Sequence, residues 1–215
     1  GDEAGTAITT GIANVVLGNN SLSSNTTGGY NVVAGQAAMR DNTTGANNSA
    51  FGHNALKSNT TASSNTAVGS NALFANTTGT RNTAVGDNSL VANTTGNYNV
   101  AMGYNALDAN TTGTHNTSIG DSSMSTNTTG IKNIAVGQAA LANNTTGENN
   151  VAVGVDTLAG NTTGNHNTAS GFSALGANTT GINNTAVGRI ALAANTTANG
   201  NTSVGSSSMY SNTTG

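Results

Sequence analysis

The sequence returns to itself every 17 residues, and that period limits what the chain can fold into more than any other feature. One copy reads N-T-A-V-G-S-N-A-L-F-A-N-T-T-G-T-R over 65–81, and copies follow one another over 14–215 with no insertion or deletion. Asn opens each of the twelve copies (Asn14, Asn65, Asn201), and Gly follows four places later (Gly18, Gly69, Gly205). Leu or Met comes four places after that (Leu22, Leu73, Met209), and Asn-Thr-Thr, as in Asn76-Thr77-Thr78, stands near the end of every copy. A fixed short period marks a solenoid, in which each copy is one coil stacked on the last. The sequence therefore predicts an all-β, parallel β-solenoid of twelve coils, which at ~4.8 Å per coil make a rod about 58 Å long.

The rest of the composition narrows the function classes. Charged residues are 6% of the chain and the net charge is −3, too little to draw in nucleic acid or an anionic membrane. The excess of Asn, Thr, Ser and Gly would suit a disordered chain, but a disordered chain has no reason to keep Leu in one column. There is no Cys, so neither a disulfide framework nor a thiolate metal site can form. No apolar run approaches the ~20 residues of a membrane span, so no membrane insertion is expected. Residues 1–13 read as a degraded first coil or cap, with Gly5 where Leu belongs and Ile8 where Asn belongs. With no initiating Met and a final Asn-Thr-Thr-Gly, the chain reads as a processed product or a piece cut from something longer, with something covering its last coil.

Within a coil, Asn65-Thr66-Ala67-Val68-Gly69 reads as a short strand. A period of two puts Thr66 and Val68 on one face and Asn65, Ala67 and Gly69 on the other. The expected core is thin: Leu73, Val68 and either Thr66 or Ala72. The small, flat Asn-Ala-Gly face then reads as a subunit interface or as the lining of a narrow interior. The Gly69 column never varies, which points to a backbone angle closed to other residues, whereas Ala62 and Ala198 replace the Gly that follows Asn-Thr-Thr. The middle segment, 70–75, is open between a second short strand and a single helical turn. Asn76, Thr77 and Thr78 read as ladders, each side chain bonding to its copies above and below. Charges, His and every aromatic except Phe51 fall into three pairs of columns, which mark three exposed corners.

No column repeats a carboxylate, His or Lys, so the chain offers no array of catalytic or metal ligands. Calcium solenoids need a recurring Asp where this chain has neutral Asn, and no Gly cluster opens a helix as a phosphate loop would. The expectation is a protein that is not an enzyme and needs no cofactor. Asn-Thr-Thr is formally a glycosylation sequon in every coil, but glycans ~4.8 Å apart would collide. An ice-binding solenoid is the alternative reading. Thr77 and Thr78 are adjacent, so one Thr column would face out with Asn76 beside it. Candidate surface contacts are the corner aromatics Tyr30, Tyr98 and Tyr104, since an exposed ring can stack on a sugar or anchor a protein.

The tandem Asn-Thr-Ala-Val-Gly-x-x-Ala-Leu-x-x-Asn-Thr-Thr-Gly array over 14–215 resembles the repeat region of tail-fibre-domain proteins of bacteriophages and bacteria. Its strand, for example residues 82–86, is more distantly similar to that of trimeric autotransporter adhesin heads, whose repeats are shorter and lack the Leu-containing insertion. The resemblance implies a homo-oligomer, as a trimer or filament, forming part of an extracellular, cell-surface or virion fibre. It implies attachment to a host glycan or protein as the purpose.

Overall fold

The computed structural model describes residues 1–213; Thr214 and Gly215, which complete the last Asn-Thr-Thr-Gly, lie outside the described residues. The fold is all-β, a parallel β-solenoid of 17-residue coils with one three-residue strand in each. The chain divides into two compact units at Thr112/Gly113. Unit 1 contains β1 (Val15–Leu17), β2 (Val32–Ala34), β3 (Ser49–Phe51), β4 (Thr66–Val68), β5 (Thr83–Val85) and β6 (Val100–Met102). Unit 2 contains β7 (Thr117–Ile119), β8 (Ile134–Val136), β9 (Val151–Val153), β10 (Thr168–Ser170), β11 (Thr185–Val187) and β12 (Thr202–Val204). In each unit the strands pair in parallel with the next in sequence, and every residue faces its copy 17 places on, as Thr66 faces Thr83 and Thr168 faces Thr185.

The ladder does not stop where the strand does. Thr66, Leu73 and Ala75 donate their N–H groups forward to Asn82, Ser89 and Val91, while Gly69 and Asn71 donate backward to Phe51 and His53. Residues 1–13 join the same ladder: Gly5 N–H reaches the Ser21 carbonyl and Thr9 N–H the Thr26 carbonyl, each at 3.0 Å.

The strand faces the other way from the expected core. Ala67 is fully buried, Thr66 is half-buried and Val68 is 37% exposed, a pattern repeated in β3, β5, β6, β7, β9 and β11. The Asn-Ala-Gly face lines the interior and is no subunit interface, and Val68 and Thr66 are not core. The cause is the lead amide. Asn65 Nδ2 donates across the coil to the Gly79 carbonyl at 2.9 Å, and Asn76 Nδ2 donates to the same oxygen at 2.9 Å. Once Asn65 points in, strand alternation carries Ala67 in and Thr66 and Val68 out. Leu73 and Ala72 do belong to the core, and the Leu/Met column is fully buried from Leu22 to Leu192.

The middle segment is neither strand nor helix; among the described residues there is no helix at all. Asn71 and Leu73 both take left-handed backbone angles, φ 54° and 53°, on either side of Ala72. Each such residue costs an L-amino acid ~1–2 kcal/mol. Asn tolerates that angle, and full burial of the Leu, worth about 1.5–3 kcal/mol, offsets the cost at Leu73 itself.

Candidate functional site

Three corners surround this interior, and every charge, His and Tyr of the repeated coils falls in them. The first is the corner before each strand, where every residue is left-handed: Tyr30, Arg81, Tyr98, His115, Lys132 and His166 all have φ between 57° and 60°. A residue at such a bend has its side chain thrown outward, and all six are exposed. The second is the corner after Gly, with Asp87, Tyr104, Asp121 and Phe172 exposed. The third, after Leu, is only half-buried in its charged members: Arg40, Asp41, Lys57 and Asp108.

The three candidate tyrosines lie in unit 1 and are 59%, 44% and 54% exposed at Tyr30, Tyr98 and Tyr104. They do not form one site. Tyr98 and Tyr104 flank opposite ends of β6, and Tyr30 lies four coils from Tyr98, ~19 Å along the stack. Tyr98 is already engaged: the Arg81 guanidinium lies 5.2 Å from its ring centre and donates to its hydroxyl. Lys57 lies over the Phe74 ring at 5.1 Å in the same manner. Sequence reasoning missed Phe172 and Tyr210, exposed at 50% and 52% in unit 2. Tyr210 lines an open hollow of about 430 Å³ together with Ala159, Gly176, Ala193, Asp156 and Ser173. Both aromatics stood at corner columns, which was the available signal.

The ladders are engaged inside. Asn76 Nδ2 donates to Asn59 Oδ1 at 3.1 Å as well as to Gly79, and Asn82 N–H donates to Asn65 Oδ1 at 2.9 Å. Asn76 is fully buried and so cannot share an outer face with a Thr rank. Thr77 does not bond to its copy's hydroxyl; its Oγ1 donates to the Thr94 backbone carbonyl at 3.1 Å. Thr78 is exposed, and the Thr27 column it belongs to forms the outward rank of this segment. Inside the coil, Ser replaces both inward Ala residues in two coils: Ser118 Oγ donates to the Ser123 carbonyl and Ser203 Oγ to the Ser208 carbonyl, each at 2.8 Å.

Charge chemistry is sparse. Arg40 and Asp41 form an ion pair at 2.7 Å on a half-exposed corner. Burial pushes the Asp108 carboxyl above its ordinary range, against the downward pull of the Asp108 and Ala109 N–H groups, and its Oδ1 is buried without a partner. Among the described residues no three His, Cys, Asp or Glu side chains gather as a metal site, and no helix is long and apolar enough to cross a membrane. No protein-family model, curated protein or solved structure matches this chain.

Proposed function

We propose that this chain is a length-giving segment of an extracellular or virion fibre, whose repeated coils present variable corner residues for attachment to a host glycan or protein. One observation carries the reading. The residues common to all coils, such as Asn65, Leu73 and Asn76, face inward and are already bonded or packed, so what differs from coil to coil where a partner can reach is the corners and the outward strand face, and only the corners carry charge and tyrosine rings. Exposed aromatic rings at these corners suit a sugar face or a protein contact. The test is a glycan-array or cell-binding assay on the wild type and a Tyr30→Ser, Tyr98→Ser, Tyr104→Ser triple variant. Binding by the wild type and a loss of at least ten-fold in the variant supports the reading. Adhesion unaltered by the triple change removes these corners from it.

A second reading, ice binding, has its own support. Thr66 and Thr83 stand beside Val68 and Val85 on the outward face of adjacent parallel strands, as Thr185 and Thr202 stand beside Val187 and Val204. Evenly spaced hydroxyls and methyls on a sheet are a surface that ordered water can match. Thermal hysteresis in the wild type, abolished by Thr→Lys changes in these ranks, would select it.

A further inference from the structure

The outward face of the strands is the least explained surface in the molecule. In every coil it presents two side chains, and none of the positions in these two columns carries a charge. Val68 and Val85 in unit 1 are each 37% exposed, and Val153 and Val187 in unit 2 are each 40% exposed. A lone exposed Val is ordinary, but a strip of Val, Ile, Met, Phe and Thr side chains without a charge on strand after strand marks an interaction surface.

We infer that this face packs against the same face of a second copy of the chain, in a two-fold pair with solenoid axes parallel and strands antiparallel. Area and charge both point there. Six coils with two outward side chains each, at roughly 40–50 Å² apiece, give about 500 Å² per unit, so two such faces bury about 1,000 Å² in total, the lower bound for a specific interface. The flanking corners select the orientation. With axes parallel, each residue before a strand meets the second copy's residue after the same strand. Arg81 then faces Asp87, Tyr98 faces Tyr104 in unit 1, and His115 faces Asp121 in unit 2. Glu148 and Asp156, the like-charged residues around β9, each stand one place further from the face, behind Asn149 and Val155. With axes antiparallel, the corner before the strands faces itself, so a two-fold through β5 sets Arg81 against Arg81 and Asp87 against Asp87. The pairing does not depend on the attachment reading and competes with it for Tyr98 and Tyr104, so the two fail separately: mass in solution reads the pairing, glycan or cell binding the attachment.

The experiment is sedimentation equilibrium with light scattering at micromolar concentration, with circular dichroism as the check on folding. The wild type is expected at the mass of two chains. Val85→Lys with Val187→Lys, both on the exposed face, should leave a folded single chain. Arg81→Glu should weaken the pair about ten-fold, and Arg81→Glu with Asp87→Arg should restore it to within about two-fold. Arg81 and Asp87 stand at different corners, on either side of β5, so a rescue acts between copies. A wild type at one or three chain masses overturns the pair, as does dimerisation indifferent to the two lysines. A double variant no tighter than Arg81→Glu overturns the parallel orientation. A single-chain wild type with thermal hysteresis assigns the face to ice.

Discussion

Gly86 and Gly79 show how differently two glycines can be required. Gly86 has φ +132°, a region only glycine occupies readily, and a Cβ there would press on the backbone carbonyl of Gly103. Gly79 has no positive φ, and although its added Cβ would crowd the Gly96 carbonyl and the Asn76 amide, Ala62 occupies the equivalent place at 2% exposure. Gly86→Ala should therefore cost about 3 kcal/mol or more and Gly79→Ala about 1, read from urea unfolding. Equal losses would show that crowding, not the backbone angle, sets both. Asp108 gives a pH signature at the same scale. Its folded carboxyl titrates above the unfolded one, so the folded chain holds the proton more tightly. The stability this gives is present below the unfolded value near pH 4 and is lost as pH rises through the folded value. Asp108→Asn should therefore raise the melting temperature at pH 7 and leave it unchanged at pH 3. A gain of equal size at both pH values would mean that charge is not the cause.

At the scale of one coil, the strand and the turn after Gly differ in how much of them the sequence discloses. The period, the buried Leu column and the three outward corners are all legible, because repetition shows which columns tolerate charge and which never do. The facing of the strand is not legible. Thr66-Ala67-Val68 alternates under either assignment, and Val is the more usual core residue. What decides it is the reach of Asn65 to the Gly79 carbonyl, a contact across the coil that no local pattern encodes. The left-handed pair at Asn71 and Leu73 was half legible: Asn recurs at 54, 71, 88 and 105 and tolerates that angle, but Leu gives no such sign. The facing has a direct test. Ala84→Leu, inward and fully buried, should cost about 3 kcal/mol from overpacking, while Val85→Thr, outward, should stay within about 0.5. The reverse order in melting experiments would turn the strand around. Burial of Asn76 also uses its amide protons on Gly79 and Asn59, so the folded coil offers no acceptor for a glycan at that sequon.

For the molecule as a whole, each coil is supported chiefly by its neighbours, so damage should spread by proximity. Leu107→Asn places an amide in the buried Leu column of unit 1 and should cost at least ~2 kcal/mol. Hydrogen exchange should quicken around Ala101 and Leu90 while the amides near Val33, in the same unit, keep their protection. Uniform acceleration from Val33 to Leu107 would mean the unit opens all at once. The Asn rows add a property of another kind. In unit 1, Asn42 donates to Asn25, Asn59 to Asn42, Asn76 to Asn59, Asn93 to Asn76 and Asn110 to Asn93, always from nitrogen to the oxygen one coil earlier. One reversed amide would set oxygen against oxygen and nitrogen against nitrogen along the row, and its Oδ1 against the glycine carbonyl that Nδ2 now serves, so the direction of the row is fixed. The stack is therefore vectorial: its amide dipoles all point one way along the axis, and a coil added at the high-numbered side meets acceptors where a coil added at the other meets donors.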